Sequence, residues 1–140
     1  MISHVFVGVS DFDRAFNFYS PVMQRLGIAQ RFYDPATPWA GWHSEGGARP
    51  LFVIGKPYNG EPHSPGNGQM VALLAANREQ VRDVHRIALA HGGVSDGEPG
   101  LRPRYHQDYY GAYLRDTEGN KLCIACHVPE PGPDTRPGRG

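Results

Sequence analysis

Two cysteines in 140 residues are too few for a disulfide-stapled scaffold. Long hydrophobic runs are missing too. The longest, around residues 51–55 and 71–76, fall far short of the ~20 residues that span a bilayer, so no membrane partner is expected. Nor is there an excess of charge of either sign: 14 Lys and Arg balance 14 Asp and Glu. With the arginines scattered, no basic field is available for a phosphate backbone, and no nucleic-acid partner is expected. The amino-terminal residues show no basic region followed by an apolar one, so they do not read as a signal peptide. The expected location is the cytoplasm, where both thiols stay reduced. A Ser-His-Asp order, a Walker loop and a GxGxxG turn are likewise absent, which leaves covalent and nucleotide chemistry without a motif.

What is present is patterned. A chain of this length hides roughly two-thirds of its unfolded surface, enough for one domain with its own core. Residues 2–9 alternate, with Val5, Val7 and Val9 on one face and His4, Phe6 and Gly8 on the other, which is the period of a strand. Ser10 and Asp13 open a helix over about 11–26 that carries Phe12, Ala15, Phe16, Tyr19, Val22, Met23 and Leu26 on one stripe and stops at Gly27. Pro21 predicts a kink near Ser20, or two short helices meeting there. Strands follow at 29–33, 39–43 and 51–55, then a Pro- and Gly-rich loop at 56–68. The pattern then restarts. A strand at 70–76 leads to the capping pair Asn77 and Gln80, a second apolar stripe through Val81, Val84 and Ala88, a stop at Gly92-Gly93, and strands near 94, at 110–115 and at 121–127. His4 to Met70, Asp11 to Asn77 and Gly27 to Gly93 all keep one offset of 66. The reading is therefore α+β: two tandem βαβββ modules at about 1–66 and 67–128. The expected core is Val5, Val7, Val9, Phe12, Phe16, Tyr19, Val71, Leu73, Val84 and Leu122. Residues 129–140 hold Pro and Gly with almost nothing apolar, and read as a disordered tail.

These residues carry a family resemblance over 1–128. The strand Ile2-Ser3-His4-Val5, the helix opening Asp11-Phe12-Asp13-Arg14-Ala15-Phe16, the segment His106-x-x-Tyr109-Tyr110-Gly111-Ala112-Tyr113 and the turn Arg115-Asp116-Thr117-Glu118-Gly119-Asn120 together resemble the vicinal oxygen chelate superfamily. That group includes glyoxalase I, bleomycin-resistance proteins and extradiol dioxygenases. The resemblance implies a curved mixed sheet forming a cup with helices outside, a homodimer, and function in the cup. It places the family's metal ligands at His4, near Phe52, at Met70 and at Cys123. Only His4 is of the usual type, since divalent ions of this family want imidazole and carboxylate. No cofactor is expected, and the candidates for any divalent metal reduce to His4 and Cys123; a soft set of His4, Met70 and Cys123 would suit copper(I) or zinc. The implied function is binding of a small oxygenated or aromatic molecule over a degenerate metal site. A metal-dependent lyase, isomerase or dioxygenase acting on a small metabolite is the alternative.

The expected cup floor is His4, Phe6, Phe52, Met70, Leu74 and Cys123, and the expected mouth is Arg102, Arg104, His106, Tyr109 and Tyr110. Arginine offers a fork to carboxylate or phosphate, and tyrosine a hydroxyl on an aromatic wall; a loop packed on a partner subunit or solvated would look the same. His106 is the candidate general base. Cys123 and Cys126, three apart on a strand, should face opposite ways, and His127 should trim the rim. Trp39, Trp42 and His43 suit either the cup or the core. His85 and His91 read as surface or capping residues, and His63 as part of a flap or simply of a polar loop.

Overall fold

A computed structural model of the chain describes residues 1–44 and 46–131. Module one consists of β1 (His4–Gly8), α1 (Phe12–Arg25), β2 (Ile28–Asp34), β3 (Trp39–Ser44) and β4 (Leu51–Gly55). Module two repeats it with β5 (Val71–Leu74), α2 (Arg78–Ala90), β6 (Val94–Leu101), β7 (Tyr110–Arg115) and β8 (Lys121–Cys126). Each module is an open four-stranded sheet, ordered β1-β4-β3-β2 and β5-β8-β7-β6, in which the first strand lies parallel to the last. The two-module α+β reading therefore holds.

The helix ends show why the repeat keeps step. The Asp11 carboxylate accepts from the Arg14 amide at 3.1 Å, and the Asn77 side chain accepts from the Gln80 amide at 2.8 Å. Gln80 closes a box by accepting from the Ala76 amide at 2.7 Å. Gly27 ends α1 at φ 72°, but the left-handed residue after α2 is Gly92, at φ 98°, one position earlier than the repeat predicts. Pro21 does not split α1, which runs unbroken through it. Seven of the ten expected core residues are buried; Val5, Phe16 and Val71 pack against them half-buried. His85 departs from its surface reading: it is 5% exposed, with Nε2 at 2.9 Å from the Ser95 hydroxyl beneath α2. His91 does cap, its Nδ1 lying 2.8 Å from the Ile87 carbonyl.

A cluster around Asp116 ties the modules together. The buried Tyr19 hydroxyl of module one donates to the Asp116 carboxylate of module two. Asp116 also accepts from the amides of Glu118 and Asn120, at 2.8 and 2.9 Å, and from the Asn120 side chain at 2.9 Å. Asn120 then reaches back to the Gly8 carbonyl at 3.1 Å. Burial, followed by the Asp116 charge, pushes the Tyr19 phenol well above its ordinary range and keeps it a donor. Of the tail, 132–140 lies outside the described residues; 129–131 forms no regular element, and Glu130 accepts from Arg78 at 3.3 Å.

Replacing Tyr19 by Phe removes one charge-assisted bond and leaves the other Asp116 donors in place. The variant should lose about 1.5–3 kcal/mol of stability in urea unfolding. A loss under about 0.5 kcal/mol, the level of an ordinary surface change, would refute the role of this cluster.

Candidate functional site

Register decides which side chains reach the open face, because residues paired across a sheet point the same way. His4 pairs with Leu51 and Phe6 with Val53, whereas Phe52 pairs with Val5, a residue of the helix side. Phe52 accordingly lies under α1, 7% exposed and 5.2 Å from the Tyr19 ring, and is not part of the open-face floor. The open-face residues of β4 are Leu51 and Val53. Tyr110 pairs with Cys126 and also turns to the helix side, where the guanidinium groups of Arg78 and Arg82 sit 5.4 and 5.8 Å from its ring. It does not line the mouth. Trp42 is core, while Trp39 stays on the open face against Phe32. Cys123 and Cys126 point to opposite faces as expected, both free and both buried.

Module two gathers the richest chemistry. Tyr113, opposite Cys123 on β7, was missed by the motif reading, though the alternation of Gly111, Tyr113 and Arg115 would have placed it on the open face. The hydroxyls of Tyr109 and Tyr113 lie 3.1 Å apart, and Tyr109 Oη is 3.3 Å from Cys123 Sγ. Arg102 and Lys121 each stand 5.6 Å from the Tyr113 ring centre. Lys121 and Arg115 share Asp96, at 3.4 and 3.3 Å, but Arg102 is held by the carbonyls of Glu98 and Leu101, with no carboxylate partner among the described residues. Desolvation raises the Tyr109 and Tyr113 phenols above their ordinary range and raises the Cys123 thiol as well, so all three stay neutral near pH 7.

Above this cluster the Arg104 guanidinium lies over the Tyr105 ring, and the Tyr105 ring packs tilted against that of Tyr109, centres 4.9 Å apart. His106 Nδ1 accepts from the Asp108 amide at 3.2 Å, so its Nε2 carries the proton donated to His127 Nδ1 at 2.8 Å. Neither nitrogen of the neutral His106 ring then has a free lone pair, and the general-base reading loses its support. His127 sits exposed at this rim.

The remaining floor residues, Phe6, Met70 and Leu74, are 50%, 46% and 70% exposed. Along the seam between the modules run two grooves of about 290 and 320 Å³, both lined by Val5, Met70 and Val71. His63, from the strap of residues 56–70, packs over Gly8 so tightly that a Cβ there would meet its Nδ1 at 2.4 Å; its Nε2 contacts Asn120 at 2.7 Å. The donor set does not fit the family's divalent metal. His4 Nδ1 lies 3.0 Å from the Ser3 hydroxyl, Cys123 is engaged by Tyr109, and no group of three His, Cys, Asp or Glu side chains converges among the described residues.

Paired βαβββ modules with this register define a class, and the chain belongs to it: the model of the Glyoxalase/Bleomycin resistance protein/Dioxygenase superfamily matches residues 1–124. A glyoxalase/bleomycin resistance protein from Albidiferax ferrireducens T118 is 35% identical, covering 91% of this chain and 99% of its own, with a TM-score of 0.78. Two others share the fold at lower identity. One, from Burkholderia phytofirmans PsJN, is a family enzyme, 19% identical over 90% of this chain and 98% of its own, TM-score 0.68. The other is TnmS3, an antibiotic binding protein from Streptomyces sp. CB03234, 18% identical over 91% of this chain and 96% of its own, TM-score 0.61. No curated protein matches the chain. No helix among the described residues is long and apolar enough to cross a membrane.

The raised phenols have a consequence at high pH. A neutral acid whose pKa is higher folded than unfolded contributes stability that is complete below the unfolded value near 10 and is lost as pH rises through the folded one. Stability should therefore fall above about pH 10, and the fall should flatten when Tyr109 and Tyr113 are both changed to Phe. Spectroscopic titration showing all tyrosines ionising together at the ordinary value would contradict the buried-donor assignment.

Proposed function

We propose that the protein binds a small aromatic molecule bearing an anionic oxygen on the open face of module two, without a resident divalent metal. The observation that carries this reading is the Tyr109–Tyr113–Cys123 cluster beneath Arg102 and Lys121. Two phenols kept neutral supply donors, an arginine with no carboxylate partner among the described residues supplies charge, and Tyr105 and Tyr109 supply a wall. Binding needs shape and donors, which are present. The lyase, isomerase or dioxygenase alternative needs imidazole and carboxylate beside His4, where the chain offers Met70 and Cys123. The antibiotic-binding role of TnmS3, a protein of the same fold, supports a binding role here. Two free, buried thiols suit the reducing cytoplasm.

Thermal shift with salicylate, and with benzyl alcohol as its uncharged control, tests this. Salicylate should raise Tm and the alcohol should not. Calorimetry should show affinity for salicylate falling about tenfold or more in the Arg102→Ala variant. Equal response to both compounds, or a stoichiometric metal in the purified protein by elemental analysis, would overturn the reading.

We further propose that a second copy covers part of the open face, making a homodimer. Trp39, Phe6 and Leu74 are each 42% or more exposed there, apolar surface that a second copy would remove from water. Light scattering should return twice the 15.4 kDa chain mass at micromolar concentration, and a monomer would refute it.

A further inference from the structure

The ladder bonds of β1 and β5 leave one edge of each strand unused. Leu51 donates to the Ser3 carbonyl and Val9 to the Gly55 carbonyl, so residues 3, 5, 7 and 9 spend their backbone groups on β4. The N–H and C=O groups of His4, Phe6 and Gly8 therefore point away, toward module two. In module two, Ala75 donates to the Ala125 carbonyl, which turns the backbone groups of Ala72 and Leu74 toward module one. Apart from the Gly8 carbonyl, bound by Asn120, these groups have no partner among the described residues. No Cα of β1 comes within 8 Å of a Cα of β5. Paired strands lie about 4.8 Å apart, so two edges with one strand between them would stand at roughly 9.6 Å.

The two inner edges are also bare where the outer ones are guarded. Outer strand β2 carries Arg31, Asp34 and a bulge, and outer strand β6 carries Asp96, Glu98, Pro99 and two irregularities. These are the devices that prevent strand addition. The inner strands, His-Val-Phe-Val-Gly and Val-Ala-Leu-Leu, have no proline, no bulge and no full charge. Beneath the gap lie Val5, Val7, Val71 and Leu122, and the charged group lining it, Lys121, is already paired with Asp96.

We infer that the seam between β1 and β5 is a strand-acceptor site for an extended, uncharged peptide segment, whose amides pair with both edges at once. Val7 and Gly8 line one groove with Met70 and Val71, and Ile2 lines the other with Ala72 and Leu73, so the edges run antiparallel. An inserted strand is thus parallel to one and antiparallel to the other. The four residues of β5 give it a length of about 13 Å, room for about four residues. His63 and Asn120 close the Gly8 end, so the segment enters from the His4 and Leu74 end.

The probe is an acetylated, amidated pentapeptide of alternating serine and valine, added to the full chain and followed by amide hydrogen exchange. At saturation, exchange at Phe6, Ala72 and Leu74 should slow about tenfold or more, while the same peptide N-methylated at every second amide should give no protection. Ala72→Pro removes an N–H that faces the gap and leaves the β8 ladder intact, so the fold should persist and peptide protection should vanish. Salicylate binding by that variant reads the module-two face separately. No protection at millimolar peptide, or equal binding of the N-methylated peptide, would overturn the inference. So would protection that appears without peptide and grows with protein concentration, which would assign the edges to a second copy.

Discussion

The two sheets share no backbone hydrogen bond among the described residues, so side chains join module one to module two, chiefly on the helical side. A single apolar core under α1 and α2 includes Tyr19, Val22, Val84, Leu122 and Ile124, and the Asp116 carboxylate anchors it by collecting donors from both modules. An ion buried at 3% exposure is tolerable only because every oxygen is satisfied. Fixing the modules from beneath leaves their other faces open and their inner edges apart, and both features of functional interest descend from that arrangement.

On the open face, the chemistry follows from the groups gathered around Cys123. Its thiol is covered by the Tyr109 hydroxyl rather than grouped with other metal-ligating side chains among the described residues. The surrounding groups form a neutral donor pair with cations behind it. At its rim, both nitrogens of the His106 ring are engaged, with Asp108 and with His127.

Along the seam, the strap does what the sheets do not. Asn120 satisfies Gly8 and Asp116 together, and His63 roofs the glycine whose missing side chain makes room for it. One end of the gap is thereby closed, and the remaining length is a slot bounded by unguarded strand edges.

Periodicity made the secondary structure, the doubled βαβββ order and the core legible, because strand alternation, capping residues and glycine stops are local signals that burial later rewards. Faces within β1, β5 and β8 were legible for the same reason, and so the opposed directions of Cys123 and Cys126 could be read before any coordinates. Phe52 and Tyr110 were not, since a one-residue change of register turns a side chain to the other face, and the pairing of β4 with β1 and of β7 with β8 sets that register. The buried His85 and the joining of Tyr19 to Asp116 across 97 positions belong to the same category. By itself the sequence determined which segments are strands and helices and that the unit occurs twice. Tertiary structure alone decided which side chains converge on the open face and that two strand edges are left unpaired, because both depend on contacts between segments far apart in the chain.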